Sequence, residues 1–428
     1  MTEVLKDLTL PYGLEQATAM AQAFGTPLHI YDQPGIERTA QEMRDAFAWS
    51  PGYRNFFAVK ATPRLDLLET LHGQGMGFDC SSETELLHME TLGIPGEDIF
   101  YTSNNTQRPD FELAIESGAT VNIDDLTQVP VFLEALGDRS YGRVALRYNP
   151  GKLKEGNGII GKPEEAKYGL RIDQLVPAFR MLMAANIDSF GLHTMVASNE
   201  REASYFADTA SILLDAVDEV EREGGPKIDF VNLGGGFGLN YEPHQAPFDA
   251  KSAADQIRAV FEERGRTDME LVTENGRFVT GPHGSLLTRV LYDMDKHKPY
   301  LSVDASMHNL MRPGMYGAYH HITVLGKEDE HPTRVVDISG SLCENNDKFA
   351  IDREIPHAEP GDLLVIHDTG AHGSAMGFGY NGLRHCAEVV IRGTGQVDLI
   401  REAEPYEDTI RREVWRGNPL SARSIRVS

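Results

Sequence analysis

Little in this chain of 428 residues suits thiol, membrane or nucleic-acid chemistry. Three cysteines, Cys80, Cys343 and Cys386, are too few for a disulfide framework, and none stands in a CxxC or Cys/His spacing that would hold a metal. No run approaches the ~20 apolar residues that span a bilayer, and the N-terminal MTEVLKDLTLPYG lacks a basic stretch followed by an apolar one. Positive charge is scarce: 40 Lys and Arg stand against 65 Asp and Glu, a formal charge of -25. Such a field repels nucleic acid and anionic membranes, because binding there depends on clustered cations that neutralise phosphates. The expectation is a cytoplasmic protein with a small-molecule ligand and no nucleic-acid or membrane partner. An anionic ligand would need a few well-placed Arg and Lys residues.

What is present is a repeat. From about residue 54, short β-branched or aromatic runs alternate with amphipathic stretches of helical period, the pattern of parallel βαβ units. Eight strands are predicted: RNFFAVKA (54–61), MGFDCSS (76–82), DIFYTSN (98–104), ATVNIDD (119–125), RVALRYNP (143–150), DSFGLHTMV (188–196), KIDFVNLGG (227–235) and MELVTENG (269–276). Eight units ending near residue 285 predict an α/β fold with a (β/α)8 TIM-type barrel, an open doubly wound sheet being the alternative. Beyond that point the helical period disappears. Strand-like runs such as SLLTRVLYDM, YLSVDAS, RVVDISG, DLLVIHDTG and AEVVIRG-TGQ-VDLIREA predict a C-terminal all-β domain. PLHIYD (27–32) precedes the repeat and is expected to pack with that domain. The division is therefore 1–34, 35–285 and 286–428, with no low-complexity linker and hence a site that both domains can build. The long, Gly-rich loop 151–168 reads as a lid or as a surface insertion.

In such a barrel chemistry concentrates where strands end. Lys60 ends the first predicted strand; a lysine pointing inward there is a candidate Schiff-base amine, and a surface lysine is the plainer reading. The seventh ends in NLGGGFG (232–238), whose glycines let backbone N–H groups approach a phosphate, although glycine triplets are also ordinary tight turns. ENGR (274–277) adds a carboxylate and a guanidinium at the same corner, and His193 ends the sixth strand. An amine, a flat imidazole, a phosphate cradle and a carboxylate are the parts that pyridoxal 5'-phosphate requires.

The order FFAVKA, FDCSSETEL, GLHTMVAS, NLGGGFG, TENGR, RPGMYGAYH, SLCENNDKF and GYNG resembles that of the diaminopimelate decarboxylases, fold-type III enzymes related to alanine racemase, over roughly residues 25 to 400. The resemblance implies that Lys60 bonds to the cofactor, His193 stacks on its ring, Glu274 faces its pyridine nitrogen, and Gly234, Gly235 and Gly236 bind its phosphate. Asp79, Gly276, Arg277 and Tyr380 would complete the cofactor contacts. Arg277, Arg312, Tyr316, Glu344 and Tyr380 would bind substrate, and Cys343 would protonate the carbanion left by decarboxylation; an inert structural thiol is the other reading of Cys343.

In relatives that cysteine reaches a neighbouring subunit, so the resemblance also implies a homodimer with shared sites. The implied reaction converts meso-2,6-diaminopimelate to L-lysine. Decarboxylation of another basic amino acid such as D-ornithine or D-lysine, a racemase, and a silent regulatory relative are the alternatives. Three positions depart from the family pattern: Asn275 where proline is common, Thr62 where asparagine is common, and Ser198 five rather than three residues after His193, which leaves its phosphate role open.

Overall fold

The computed structural model describes residues 6–413 except Asn157, Gly158 and Ile160. Fifteen of its strands were legible as apolar runs, and eight of them close into a parallel barrel. After β1 (Leu28–Asp32), the barrel strands are β2 (Arg54–Ala58), β3 (Gly77–Cys80), β4 (Ile99–Thr102), β5 (Thr120–Ile123), β6 (Tyr141–Arg147), β7 (Ile187–His193), β8 (Phe230–Asn232) and β9 (Glu270–Thr273). They pair in sequence order, and β9 returns to β2 through Arg54 opposite Val272. Strands such as β2, β3 and β5 are short and buried on both faces, which is why they read as continuous apolar runs rather than as alternations, and the longer β6 and β7 are buried toward their C-terminal ends.

A layer of side chains plugs the barrel. Phe56, Phe100, Ala145 and Phe230, from alternate strands β2, β4, β6 and β8, are buried together with Val272. The rings pack edge to face, Phe56 on Phe100 at 4.5 Å and Phe100 on Phe230 at 6.0 Å between centroids. Gly191 makes room for them, since a Cβ there would lie 2.2 Å from the Phe230 ring. With its middle filled, the barrel can receive a ligand only at an end.

The remaining strands are β10 (Gly284–Asp295), β11 (Pro299–Val303), β12 (Ile322–Val324), β13 (Arg334–Ser339), β14 (Lys348–Ile355), β15 (Leu363–Ile366), β16 (Ala387–Ile391) and β17 (Val397–Arg401). They form one sheet with β1, which runs antiparallel to β10 and parallel to β16. The N-terminal segment thus joins the β domain. Two strands escaped the sequence reading, β12 because it is only three residues long and β14 because KFAIDREI carries charge on its exposed positions. The region is not purely β, for Arg312–Tyr316 and Tyr406–Ile410 form short helices.

The first barrel strand is shorter than predicted. It stops at Ala58, and Val59–Ala61 form one 3-10 turn, so Lys60 stands on a turn rather than in a strand. Hydrogen bonds to the β domain hold that turn. Thr62 Oγ1 donates to the Gly370 carbonyl at 2.6 Å, and His372 N–H donates to the Ala61 carbonyl at 2.9 Å. Arg64 reaches the buried Glu388 on β16 at 2.7 Å.

Candidate active site

Above the aromatic plug, at the C-terminal ends of the strands, lies a cavity of about 980 Å³. Lys60, Asp79, His193, Gly235, Gly236, Glu274, Gly276, Arg277, Arg312 and Tyr316, which sequence positions scatter over 257 residues from first to last, all line it. The Lys60 side chain is 55% exposed, but into this cavity, and its Nζ lies 3.5 Å from Asp79 Oδ2. Burial works against its charge, yet Asp79, Glu274 and Glu85 outweigh that and raise its pKa. Burial also lifts the Asp79 carboxyl, to about 8, with Glu274 pushing the same way and Lys60 opposing.

Glu274 behaves differently. Burial favours its neutral form, but His193, Lys60 and Asn232 together pull its pKa down, so it keeps its charge. Asn232 Nδ2 donates to Glu274 Oε1 at 2.7 Å, and His193 Nε2 lies 3.2 Å from Oε2. Asn232 and His193 end adjacent strands β8 and β7, which the parallel register places side by side. The loop after β9 is fixed as well. Asn55 Oδ1 accepts from Asn275 N–H at 2.8 Å, and Asn275 Oδ1 accepts from Phe237 N–H at 3.0 Å. A proline at position 275 would lack that N–H, so the departure from the family pattern is built into this network.

The glycines are needed for close backbone approach. A Cβ on Gly235 would meet the Glu274 carbonyl at 2.6 Å, and one on Gly276 would meet Ala61 Cβ at 2.8 Å; Gly236 has φ +113. No described residue accepts from the Gly236 and Gly276 N–H groups. Gly234 differs. Its N–H already donates to Asn232 Oδ1 at 2.8 Å and it is not among the residues that line the cavity, so it shapes the loop without offering a donor.

Several cavity residues went unread in the sequence. Arg147, ending β6, donates to Asp124 and Asn104 at 3.0 Å each and stacks on Tyr168 at 3.9 Å. Its position at a strand end was the available signal. Tyr241 and His372, on loops without a motif, offered none. Ser198 lines the cavity too, as do Ile159 and Tyr168 from the 151–168 loop. Lys154 ties that loop to the Ala203–Arg222 helix through the Tyr205 carbonyl at 2.8 Å; the expectation for Asn157, Gly158 and Ile160 lies outside the described residues.

Cys343, Glu344 and Tyr380 do not line this cavity. They share another spot: Asn381 Nδ2 donates to Cys343 Sγ at 3.2 Å, and Tyr380 hydrogen-bonds Glu344, which raises the phenol's pKa. Cys343 is exposed there.

The residues present fit pyridoxal phosphate. His193 Nδ1, Asp79 Oδ1, Arg147 Nε and Asn275 Nδ2 are buried in the cavity wall without a partner among the described residues, and such atoms call for a polar ligand. Beside them stand an amine, an anionic carboxyl and a glycine cradle with free N–H groups, the donor set that an aldehyde, a ring nitrogen and a phosphate need.

Comparisons with known proteins agree. Residues 34–281 match the family described as pyridoxal-dependent decarboxylase, pyridoxal binding domain. Protein TabA of Pseudomonas amygdali pv. tabaci is 39% identical over 390 residues, covering 91% of each chain. The diaminopimelate decarboxylase of Methanothermobacter thermautotrophicus is 31% identical, over 93% of this chain and 94% of that one. Among solved structures, a diaminopimelate decarboxylase from M. jannaschii in complex with L-lysine superposes with TM-score 0.87 at 30% identity, over 93% of this chain and 94% of that one. The cavity, its donor set and these matches lead to one conclusion: this chain belongs to the pyridoxal-dependent decarboxylases and is a carboxy-lyase that works with pyridoxal phosphate.

Proposed function

We propose that the chain decarboxylates meso-2,6-diaminopimelate at its D centre, releasing carbon dioxide and L-lysine. The observation that carries this reading is a pair of guanidinium groups, Arg277 and Arg312, in the same cavity as Lys60, neither forming an ion pair with a described residue. One anion site serves the cofactor's phosphate. A second suits a substrate with a carboxylate at its far end, which D-lysine and D-ornithine lack.

Bound pyridoxal phosphate supplies an electron sink for the bonding pair left at the α-carbon when carbon dioxide departs. The chain's own groups do the rest. Lys60 would hold the cofactor through its Nζ, which stands 3.5 Å from Asp79 Oδ2. Glu274, kept anionic, would hold a proton on the cofactor's ring nitrogen and so keep the sink strong. His193 would lie against the cofactor's ring, and the Gly236 and Gly276 N–H groups would hold its phosphate. Arg277, Arg312 and Tyr316 bind the distal carboxylate.

Cys343 Sγ delivers a proton to the α-carbon, and Glu344 accepts the distal ammonium, both from a second copy of the chain in a homodimer. Support for that sharing is the joint exposure of Cys343, Glu344 and Tyr380, none of which lines the cavity of its own chain, next to the segment that exposes the apolar Met315, to which Asn346 Nδ2 is tied through the Gly314 carbonyl at 3.3 Å.

The test is carbon dioxide release from meso-diaminopimelate, D-lysine and D-ornithine by the pyridoxal-phosphate-loaded protein. The proposal expects kcat/KM to favour diaminopimelate by about a hundredfold, the worth of roughly one well-made charge-assisted contact. Faster turnover of either monocarboxylate would replace it.

A further inference from the structure

Tyr241 stands between the two unpaired guanidinium groups. Its hydroxyl accepts from Arg277 Nη1 at 2.9 Å, and its ring lies 4.4 Å from the Arg312 guanidinium. Arg312 Nη1 is also bound to His320 Nε2 at 2.9 Å. The direction of that bond is forced. His320 Nδ1 lies 2.7 Å from the His367 carbonyl oxygen, which can only accept, so Nδ1 carries the hydrogen and Nε2 presents a lone pair to Arg312. The imidazole is therefore neutral, in keeping with its complete burial beside a cation. Its ring meets Tyr241 edge-on at 5.1 Å.

Two like charges are thus held in place by uncharged groups. Asp368, the buried acid that acts on Arg312, is itself paired with Lys6. A carboxylate in the place of Tyr241 or His320 would hold the guanidiniums equally well but would cancel their charge; a neutral acceptor orients them and leaves the charge for a ligand.

We infer that Tyr241 and His320 are positioning residues that set substrate specificity, holding Arg277 and Arg312 as a preformed, uncompensated clamp for the distal carboxylate of an amino-acid substrate. The inference rests on the reading of the cavity given under Proposed function and deepens it. It makes specificity depend on two residues that need not touch the reacting atoms.

Rapid-mixing titration of the visible cofactor band of the loaded protein measures binding before turnover. The probes are meso-diaminopimelate and D-lysine, the same chain with and without the distal carboxyl. The wild type binds the first at least about tenfold more tightly. Tyr241→Leu brings that ratio close to one by weakening diaminopimelate far more than D-lysine, and Tyr241→Phe, which keeps the ring and loses the hydroxyl, falls between. His320→Gln, able to donate to the His367 carbonyl and accept from Arg312, retains most of the ratio, whereas His320→Leu loses it. A Tyr241→Leu protein that keeps its ratio, or weakens both probes equally, overturns the inference, as does a wild type that binds both alike. Should the ratios move as expected while no carbon dioxide leaves diaminopimelate, the proposed substrate falls and the clamp stands.

Discussion

Glu388 lies on β16, fully buried, where the β domain meets the turn that carries Lys60. Its oxygens are bound by Arg64 at 2.7 Å, Ser374 Oγ at 2.6 Å, Tyr31 Oη at 2.8 Å and Arg401 at 3.1 Å. Burial alone would push its pKa up, but Arg64, His29 and the Ser374 hydroxyl hold it at about 2 rather than the usual 4.5. A carboxyl depressed by that much contributes about 3 kcal/mol of stability. The cost of leaving Arg64 buried without its partner, about 3–5 kcal/mol, agrees.

Glu388→Gln should therefore destabilise the holoenzyme by about 3 kcal/mol at pH 7. The sign of the pH dependence follows from the depression. The stabilisation is complete above pH 4.5, shrinks as pH falls toward 2, and is absent below. Urea unfolding of wild type and variant at pH 7 and pH 3 reads this directly, with the gap at pH 3 less than half that at pH 7. A gap below about 1 kcal/mol at pH 7, or one that does not change with pH, would refute the reasoning. The pair Arg64→Met with Glu388→Leu should recover much of the loss, because no charge is then buried alone.

Lys60→Ala should abolish the visible absorbance of the lysine-bound cofactor, and a coloured variant would show that another amine holds it. Mixing Lys60→Ala with Cys343→Ala subunits should recover activity that neither has alone, since one site of a mixed dimer is intact; additive, negligible rates would exclude shared sites. Gly276→Val puts side-chain atoms where a Cβ already lies 2.8 Å from Ala61 Cβ and 3.1 Å from Ala58. Equilibrium dialysis should show cofactor affinity falling at least about tenfold, and an unchanged affinity would mean that this approach does not shape the phosphate cradle.

Much of this architecture is local and so could be read without coordinates. Eight short apolar runs, each followed by an amphipathic stretch, leave few options but a closed parallel barrel, and strand-end residues of such a barrel face one opening. That is why Lys60, His193, Glu274 and Arg277 could be singled out by position, whereas Asp79 was named only through the family resemblance. What depends on neighbours distant in the chain could not be read. Whether Gly234 offers an N–H or surrenders it to Asn232, and whether Asp79 or Glu274 keeps its charge, depends on which atoms crowd them after folding. Tyr241 and His320 carry no motif that marks them as holders of two cations. Sequence determined the repeat and the kinds of chemical group available; tertiary structure decided which group is paired, which is charged and which stands free, because hydrogen bonds and burial are properties of contacts and not of spacing.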